Sequence, residues 1–104
     1  MAQAFEILLT VGAEADLNWF QVYARTIILN GIEVHLRHQP TTGSRRIKTL
    51  LANPVAGWQL SLGDFRVLYD FDETAGLVTV QVIGEKRGNR LIVQGKEYTA
   101  HESD

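Results

Sequence analysis

The chain contains no cysteine, which excludes a disulfide scaffold, a thiolate metal site and a cysteine nucleophile. No stretch approaches the roughly 18 consecutive apolar residues of a membrane span. The first residues, Met1-Ala2-Gln3-Ala4-Phe5-Glu6, lack the basic-then-apolar order of a secretory signal. A cytoplasmic protein with no membrane partner is the expectation. Net charge is also scarce. Ten basic residues stand against twelve acidic ones, for a sum of −2, which is not the surplus of a strongly basic nucleic-acid binder. There is no internal repeat and no low-complexity stretch. What is present is 104 residues at 45% hydrophobic. That suits one domain, able to bury roughly 60–70% of its unfolded surface around a single core. The domain is expected over residues 1–98, followed by a polar tail at 99–104.

The small net charge conceals a pattern. Residues 39–48 hold Arg45, Arg46 and Lys48 with no acid, and residues 84–95 hold Lys86, Arg87 and Arg90 against Glu85 alone. Six of the ten basic residues thus fall in two short segments. Two readings follow: a pair of solvated loops, or one cationic patch if the segments meet in space.

Hydrophobic periodicity places the elements. Phe5, Ile7 and Leu9 alternate with less apolar neighbours and predict a first strand. From Ala13 the spacing becomes helical, through Leu17, Phe20, Ala24, Ile28, Gly31, Ile32 and His35, with Tyr23, Ile27 and Val34 widening the stripe. About 25 residues is long for one helix in a small domain, so two helices with a break near Phe20–Tyr23 are expected. Pro40 ends the helical segment. Arg45–Leu51 reads as a short strand or turn, and Asn53-Pro54 as a turn. Trp58–Leu62 and Phe65–Asp72 alternate with period two around Gly63-Asp64, which predicts a hairpin. Leu77–Ile83 reads as a central strand, broken by Gly84–Asn89. Leu91–Val93 adds a last strand, and the chain from Lys96 reads as polar and frayed. Helices followed by hairpin-connected strands give an α+β fold, with helices on one face of an antiparallel sheet.

The two hairpins also predict register. Turning about Gly63-Asp64 sets Arg66 across from Ser61. Turning about Ala75 sets Arg66 across from Gly84. Ser61, Arg66 and the Lys86-Arg87 pair then share one end of the sheet, and Arg66 points away from the core row Phe65, Val67, Tyr69 and Phe71. Pairing of Arg66 with Asp64 or Asp70 is the competing expectation. His35 and His38 lie three apart on a helix without the further ligands a metal site needs. Trp19 is read as helix core or as an exposed anchor for a partner.

Several runs together resemble a known family. They are Asn53-Pro54, Trp58-Gln59-Leu60, Gly63-Asp64-Phe65-Arg66-Val67-Leu68-Tyr69-Asp70 and Val82-Ile83-Gly84-Glu85-Lys86-Arg87-Gly88-Asn89. In this order they resemble the RelE/ParE superfamily of bacterial toxins from type II toxin–antitoxin systems, over residues 4–98. His38-Gln39-Pro40 and Arg45-Arg46-Ile47-Lys48 fit the same order. The resemblance implies a strand, two antiparallel helices packed on one face and a curved antiparallel sheet. It implies a toxin that is neutralised by a cognate antitoxin protein and cleaves messenger RNA on the ribosome, inhibiting translation. That chemistry needs neither metal nor cofactor: a ribose 2′-oxygen attacks the adjacent phosphate. Arg66 matches the strand arginine of the family, and Arg87, or Lys86 beside it, matches the basic residue of the next strand. These three are the implied catalytic residues. Arg45, Arg46, Lys48, Arg90 and Tyr98 are the implied RNA contacts. The chain departs from the pattern at Gln59 and Ser61, where RelE carries lysines. The alternatives are a ParE-like inhibitor of DNA gyrase, acting by protein binding, or a catalytically inactive binding module of the same fold.

Overall fold

The computed structural model describes residues 4–51, 53 and 55–98; Pro54 and the tail at 99–104, including His101, lie outside the described residues. The chain begins with β1 (Glu6–Leu9), followed by α1 (Val11–Trp19) and α2 (Val22–Leu36). Then come β2 (Ile47–Thr49), β3 (Trp58–Leu62), β4 (Phe65–Asp72), β5 (Leu77–Arg87), β6 (Arg90–Val93) and β7 (Lys96–Glu97). The strands form one curved sheet in the order β2-β3-β4-β5-β6-β7, antiparallel throughout; β1 joins β5 as a parallel neighbour. The fold is α+β, with two helices packed on the sheet.

The helical break falls where the length argument puts it, without glycine or proline. Phe20 and Gln21 adopt extended backbone (ψ 156° and 162°), and each serves as a cap between the two helices. Thr10 caps α1 by accepting a hydrogen bond from the Ala13 amide at 3.0 Å. Leu17, Phe20, Ala24, Ile28, Ile32 and Leu36 are buried, as the periodicity predicts for all but the last. Tyr23, Ile27 and Val34 are exposed instead. The apolar stripe is narrower than the sequence suggests, and at its centre Gly31 lets α2 approach the sheet closely. A Cβ on Gly31 would meet the Leu62 side chain at 2.4 Å.

The core lies between the helices and one face of the sheet. Phe65, Val67, Tyr69 and Phe71 all face it, as their alternation predicts. The Tyr69 hydroxyl, fully buried, donates to the Pro40 carbonyl. Burial raises the Tyr69 pKa far above its ordinary value.

Both predicted registers are observed: Ser61 pairs with Arg66, and Arg66 with Gly84. Two strand expectations are corrected. Gly84 does not break β5, which continues to Arg87. The glycine is needed inside the strand because β6 crosses close by; a Cβ there would lie 2.6 Å from the Ile92 carbonyl oxygen. The chain after Val93 is not frayed at Lys96 and Glu97, which pair back onto β6. Gln94 (φ 51°) and Gly95 (φ 80°) form the two-residue turn between them, the left-handed pair that a tight hairpin requires.

The second face of the sheet is not fully open. Leu68 and Val82 point outward from the main core and form a smaller cluster with Ala56, flanked by Leu50, Leu91 and Tyr98. The remaining end of that face carries the polar site.

Gly84→Ala tests the close approach of β6. Its methyl group has to displace a backbone carbonyl, not a flexible side-chain tip, and overpacking of this kind costs about 1–3 kcal/mol. The expected result is a loss of that size in denaturant unfolding. A variant as stable as the wild type would show that β6 stands further from β5.

Candidate functional site

Register fixes which side chains meet on the second face. Ile47 pairs with Leu60, and both are buried toward the helices. Alternation therefore sends Lys48 and its partner Gln59 to the opposite face. Ser61, Arg66 and Gly84 form the adjacent row across three strands. At Gly84 the row is closed by β6, whose Ile92 carbonyl and Leu91 and Val93 side chains fill the space a Cβ would take.

The result is a cleft of about 280 Å³ in which Arg45, Lys48, Arg66, Lys86 and Arg90 converge. Gln59, Ser61 and Asn89 supply neutral polar groups, and no acidic side chain lines it. The two basic sequence segments therefore meet, joined by Arg66 from the strand between them. Among the described residues, Arg45, Lys48, Arg66 and Lys86 make no ion pair. Arg90 stands 3.9 Å from the Glu97 carboxylate, a contact at the limit of an ion pair. Several cations held together without counter-charges form a site whose own repulsion is relieved by an anion.

Arg66 is not paired with Asp64 or Asp70. Its Nη1 donates to the carbonyls of Gly63 at 2.6 Å and Phe65 at 2.9 Å. Asp70 instead accepts from the Gly57 amide at 2.8 Å and from Gln81 Nε2 at 3.3 Å. One edge of the guanidinium is thus anchored to the β3–β4 turn. Nε and Nη2 have no partner among the described residues, which leaves a planar fork for phosphate oxygens.

Not every implied residue reaches the cleft. Arg46 lies on the helix side, in a depression shared with Val34, His35 and His38. The bend that separates it from Arg45 is held by Ser44, whose Oγ accepts from the amides of Arg46 and Ile47, both at 3.2 Å. Arg87 also faces the helices, beside Trp19, Phe20 and Tyr23, and donates to Glu85 at 3.1 Å. Trp19 is half-exposed there, not in the core. Lys86 is the residue of its pair that enters the cleft. Tyr98 lines a neighbouring chamber that shares Gln59, Asn89, Arg90 and Leu91 with the cleft. Burial, followed by the negative charge of Asp16, raises the Tyr98 pKa above its ordinary value. Its phenol is therefore neutral at physiological pH, suited to stacking and hydrogen-bond donation and not to proton abstraction.

Asp16 is the functional residue the sequence reading passes over. It is a buried acid on α1. One carboxylate oxygen accepts from the Ile83 amide at 3.1 Å and the other from Gln94 Nε2 at 2.7 Å. It therefore ties the helix layer both to β5 and to the hairpin that carries Arg90 and Tyr98. A lone aspartate within an apolar helical pattern is the signal that could have found it, since such a group stays buried only with partners.

No family model matches the sequence, and no curated protein matches it significantly. Among solved structures, the chain is similar to one from the toxin–antitoxin complex RelBE2 of Mycobacterium tuberculosis, with a TM-score of 0.71 and 18% identity. The similarity covers 81% of this chain and 93% of that one. The likeness shows a shared fold: two helices on a curved, mainly antiparallel sheet.

Proposed function

We propose that the protein is the toxin of a type II toxin–antitoxin pair and acts as a metal-independent endoribonuclease on messenger RNA. The observation that carries this reading is the convergence of Arg45, Lys48, Arg66, Lys86 and Arg90 on one cleft without an acidic lining residue. The likeness to a chain of a toxin–antitoxin complex supports it.

In this reaction the ribose 2′-oxygen forms a bond to the adjacent phosphorus as the bond to the 5′-oxygen breaks. The 2′-hydroxyl proton passes to water, and water returns one to the departing 5′-oxygen. Negative charge builds on the non-bridging phosphate oxygens. Arg66 holds those oxygens through its unengaged fork, and Lys86 adds a point charge beside it. A positioned donor of this kind contributes about 3–4 kcal/mol. Arg45, Lys48 and Arg90 track the RNA backbone on either side. The cleft offers no histidine or carboxylate as general base, so the chain's own chemistry is electrostatic. That fits action on RNA delivered by the ribosome, with a cognate antitoxin protein as the second partner.

Two measurements test the reading. Primer extension on messenger RNA after expression of the chain alone should show new cleavage sites. Binding of single-stranded RNA should weaken with salt at a log–log slope of about −3.5, the value for five phosphate contacts on a single strand. Gln59 and Ser61 lack the charge that RelE carries at those positions, which favours the ParE-like alternative. Intact messenger RNA together with blocked gyrase supercoiling would establish that alternative and remove the nuclease.

A further inference from the structure

Next to the cationic cleft lies a second chamber of about 210 Å³ with different chemistry. The two are contiguous, since Gln59, Asn89, Arg90 and Leu91 line both. Leu50, Leu68 and the ring of Tyr98 give the chamber an apolar side that the cleft lacks, and Asn53, its Oδ1 engaged by the Val55 and Ala56 amides, adds a further polar group. Its one acid is Glu97, half-exposed and only loosely engaged with Arg90 at 3.9 Å. Among the described residues, the side-chain amides of Gln59 and Asn89 make no hydrogen bond within the protein.

We infer that this chamber is a nucleobase subsite, selective for bases bearing an exocyclic amino group. The inference rests on the reading of the cleft as a phosphate site. The volume lies below the about 300 Å³ at which pockets for drug-sized ligands begin, so it suits a single planar ring system. A second phosphate is disfavoured there, because Glu97 would repel it. Leu68 and Leu91 offer a flat apolar contact, and Tyr98 offers an aromatic face of the kind on which bases stack. The rim then reads the base edge. A carboxylate only accepts hydrogen bonds, so Glu97 favours the amino groups of cytosine, adenine and guanine. Uracil presents a carbonyl oxygen at the position of the cytosine amino group and meets the carboxylate with repulsion. Gln59 and Asn89 both donate and accept, and so tolerate each of the amino-bearing bases. A nucleotide whose phosphate sits against Arg66 and Arg90 places its base in this chamber, because Arg90 borders both spaces.

The test is a titration of the full chain, followed by NMR, with cytidine 5′-monophosphate, uridine 5′-monophosphate and ribose 5-phosphate. The cytidine nucleotide should bind about tenfold more tightly than ribose 5-phosphate, within the range that stacking one base contributes. It should exceed the uridine nucleotide by about fivefold, in line with one base-edge contact. Glu97→Gln should erase the preference for cytidine over uridine while both nucleotides stay above ribose 5-phosphate. Tyr98→Ala should erase the advantage of both over ribose 5-phosphate, and Tyr98→Phe should keep it. Glu97 is on the surface, so its variant carries the test even if Tyr98→Ala fails to fold. Equal binding of all three ligands, abolished by Arg66→Ala, would overturn the subsite and leave the phosphate cleft intact. Binding of none of them would overturn both.

Discussion

Arg66→Ala is expected to lower RNA cleavage by about two to three orders of magnitude, the usual effect of removing one donor from a developing oxyanion. Its stability should change little. The side chain is half-buried, and its hydrogen bonds go to two carbonyls beside an exposed turn, which water can satisfy after truncation. Primer extension with purified ribosomes reads the first effect and thermal unfolding reads the second. Arg66→Lys should recover only part of the activity. Lysine keeps the charge but cannot brace one edge on Gly63 and Phe65 while presenting a fork with the other. Full activity in Arg66→Ala would remove the cleft as the place where the phosphate reacts. The same assay separates Lys86 from Arg87. Lys86→Ala should cost activity, because its ammonium lies in the cleft, whereas Arg87→Ala should change it by less than about threefold, the scale of a rim charge on the far face.

For Lys86 and Arg87 the sequence carries two conflicting signals: the register that sets Gly84 opposite Arg66 sends Lys86 to the cleft face, while the valine pattern sends Arg87 there. The valines of β5 suggest unbroken alternation, with Val78, Val80 and Val82 on the core side. Carried forward, that pattern sends Arg87 to the second face and Lys86 to the helices. The strand pairing shows otherwise. Leu68 pairs with Val82 but Tyr69 pairs with Val80, so Gln81 is an extra residue in β5. Such a bulge inverts the facing of everything that follows. Ile83 joins the main core and Val82 the smaller cluster. Gln81 is held in the bulge by its amide on Asp70 and by Thr10, whose hydroxyl donates to its carbonyl at 3.4 Å. A bulge depends on such contacts between distant segments, and local periodicity carries no record of them.

By contrast, the β3–β4 register is legible because a short turn determines it. Glycine at Gly63 and the alternating runs on either side leave only a residue or so of freedom, and Arg66 pairs with Ser61 as expected. The Arg66–Gly84 pairing agrees for a different reason: the second turn sets Asp72 against Leu77, one residue short of a turn centred on Ala75, and the extra residue Gln81 restores the predicted pairing at Arg66. The role of Gly84 is ambiguous in the sequence for a related reason. Glycine within a strand signals either a break or a close approach, and only the position of β6 decides between them. The meeting of the two basic segments was legible in outline, since both flank the row that contains Arg66. The separation of Arg46 from its neighbours is not, because that bend rests on the Ser44 side chain together with backbone bonds from Ser44 to Ile47 and from Ser61 to Arg46.

Asp16→Ala is expected to cost about 3 kcal/mol in stability. Two hydrogen bonds to a charged acceptor contribute about 1.5–3 kcal/mol each, and part of that is returned when the carboxylate no longer has to be buried. The Ile83 amide is left buried without its acceptor. Gln94 loses the bond that helps hold its left-handed backbone, a conformation that costs a non-glycine residue about 1–3 kcal/mol. The turn is also held from α1 by the Trp19 ring beside Gly95, where a Cβ would lie 3.3 Å from the indole. Trp19 limits how far the hairpin can move but supplies no polar partner. In thermal unfolding the variant should melt roughly 12–24 °C lower, taking 4–8 °C per kcal/mol for a domain near this size. Asp16→Asn separates geometry from charge. Its carbonyl can still accept from Ile83, and its amino group can donate to Gln94 if that side-chain amide turns over. A loss of about 1 kcal/mol is therefore expected, close to one ordinary hydrogen bond. If asparagine costs as much as alanine, then the negative charge itself, and not the pair of acceptors, holds the hairpin in place. If neither variant is destabilised, the β6–β7 hairpin is anchored by its own turn and by Trp19 alone. Arg90 and Tyr98 would then owe their placement beside the cleft to β6 and not to the helix layer.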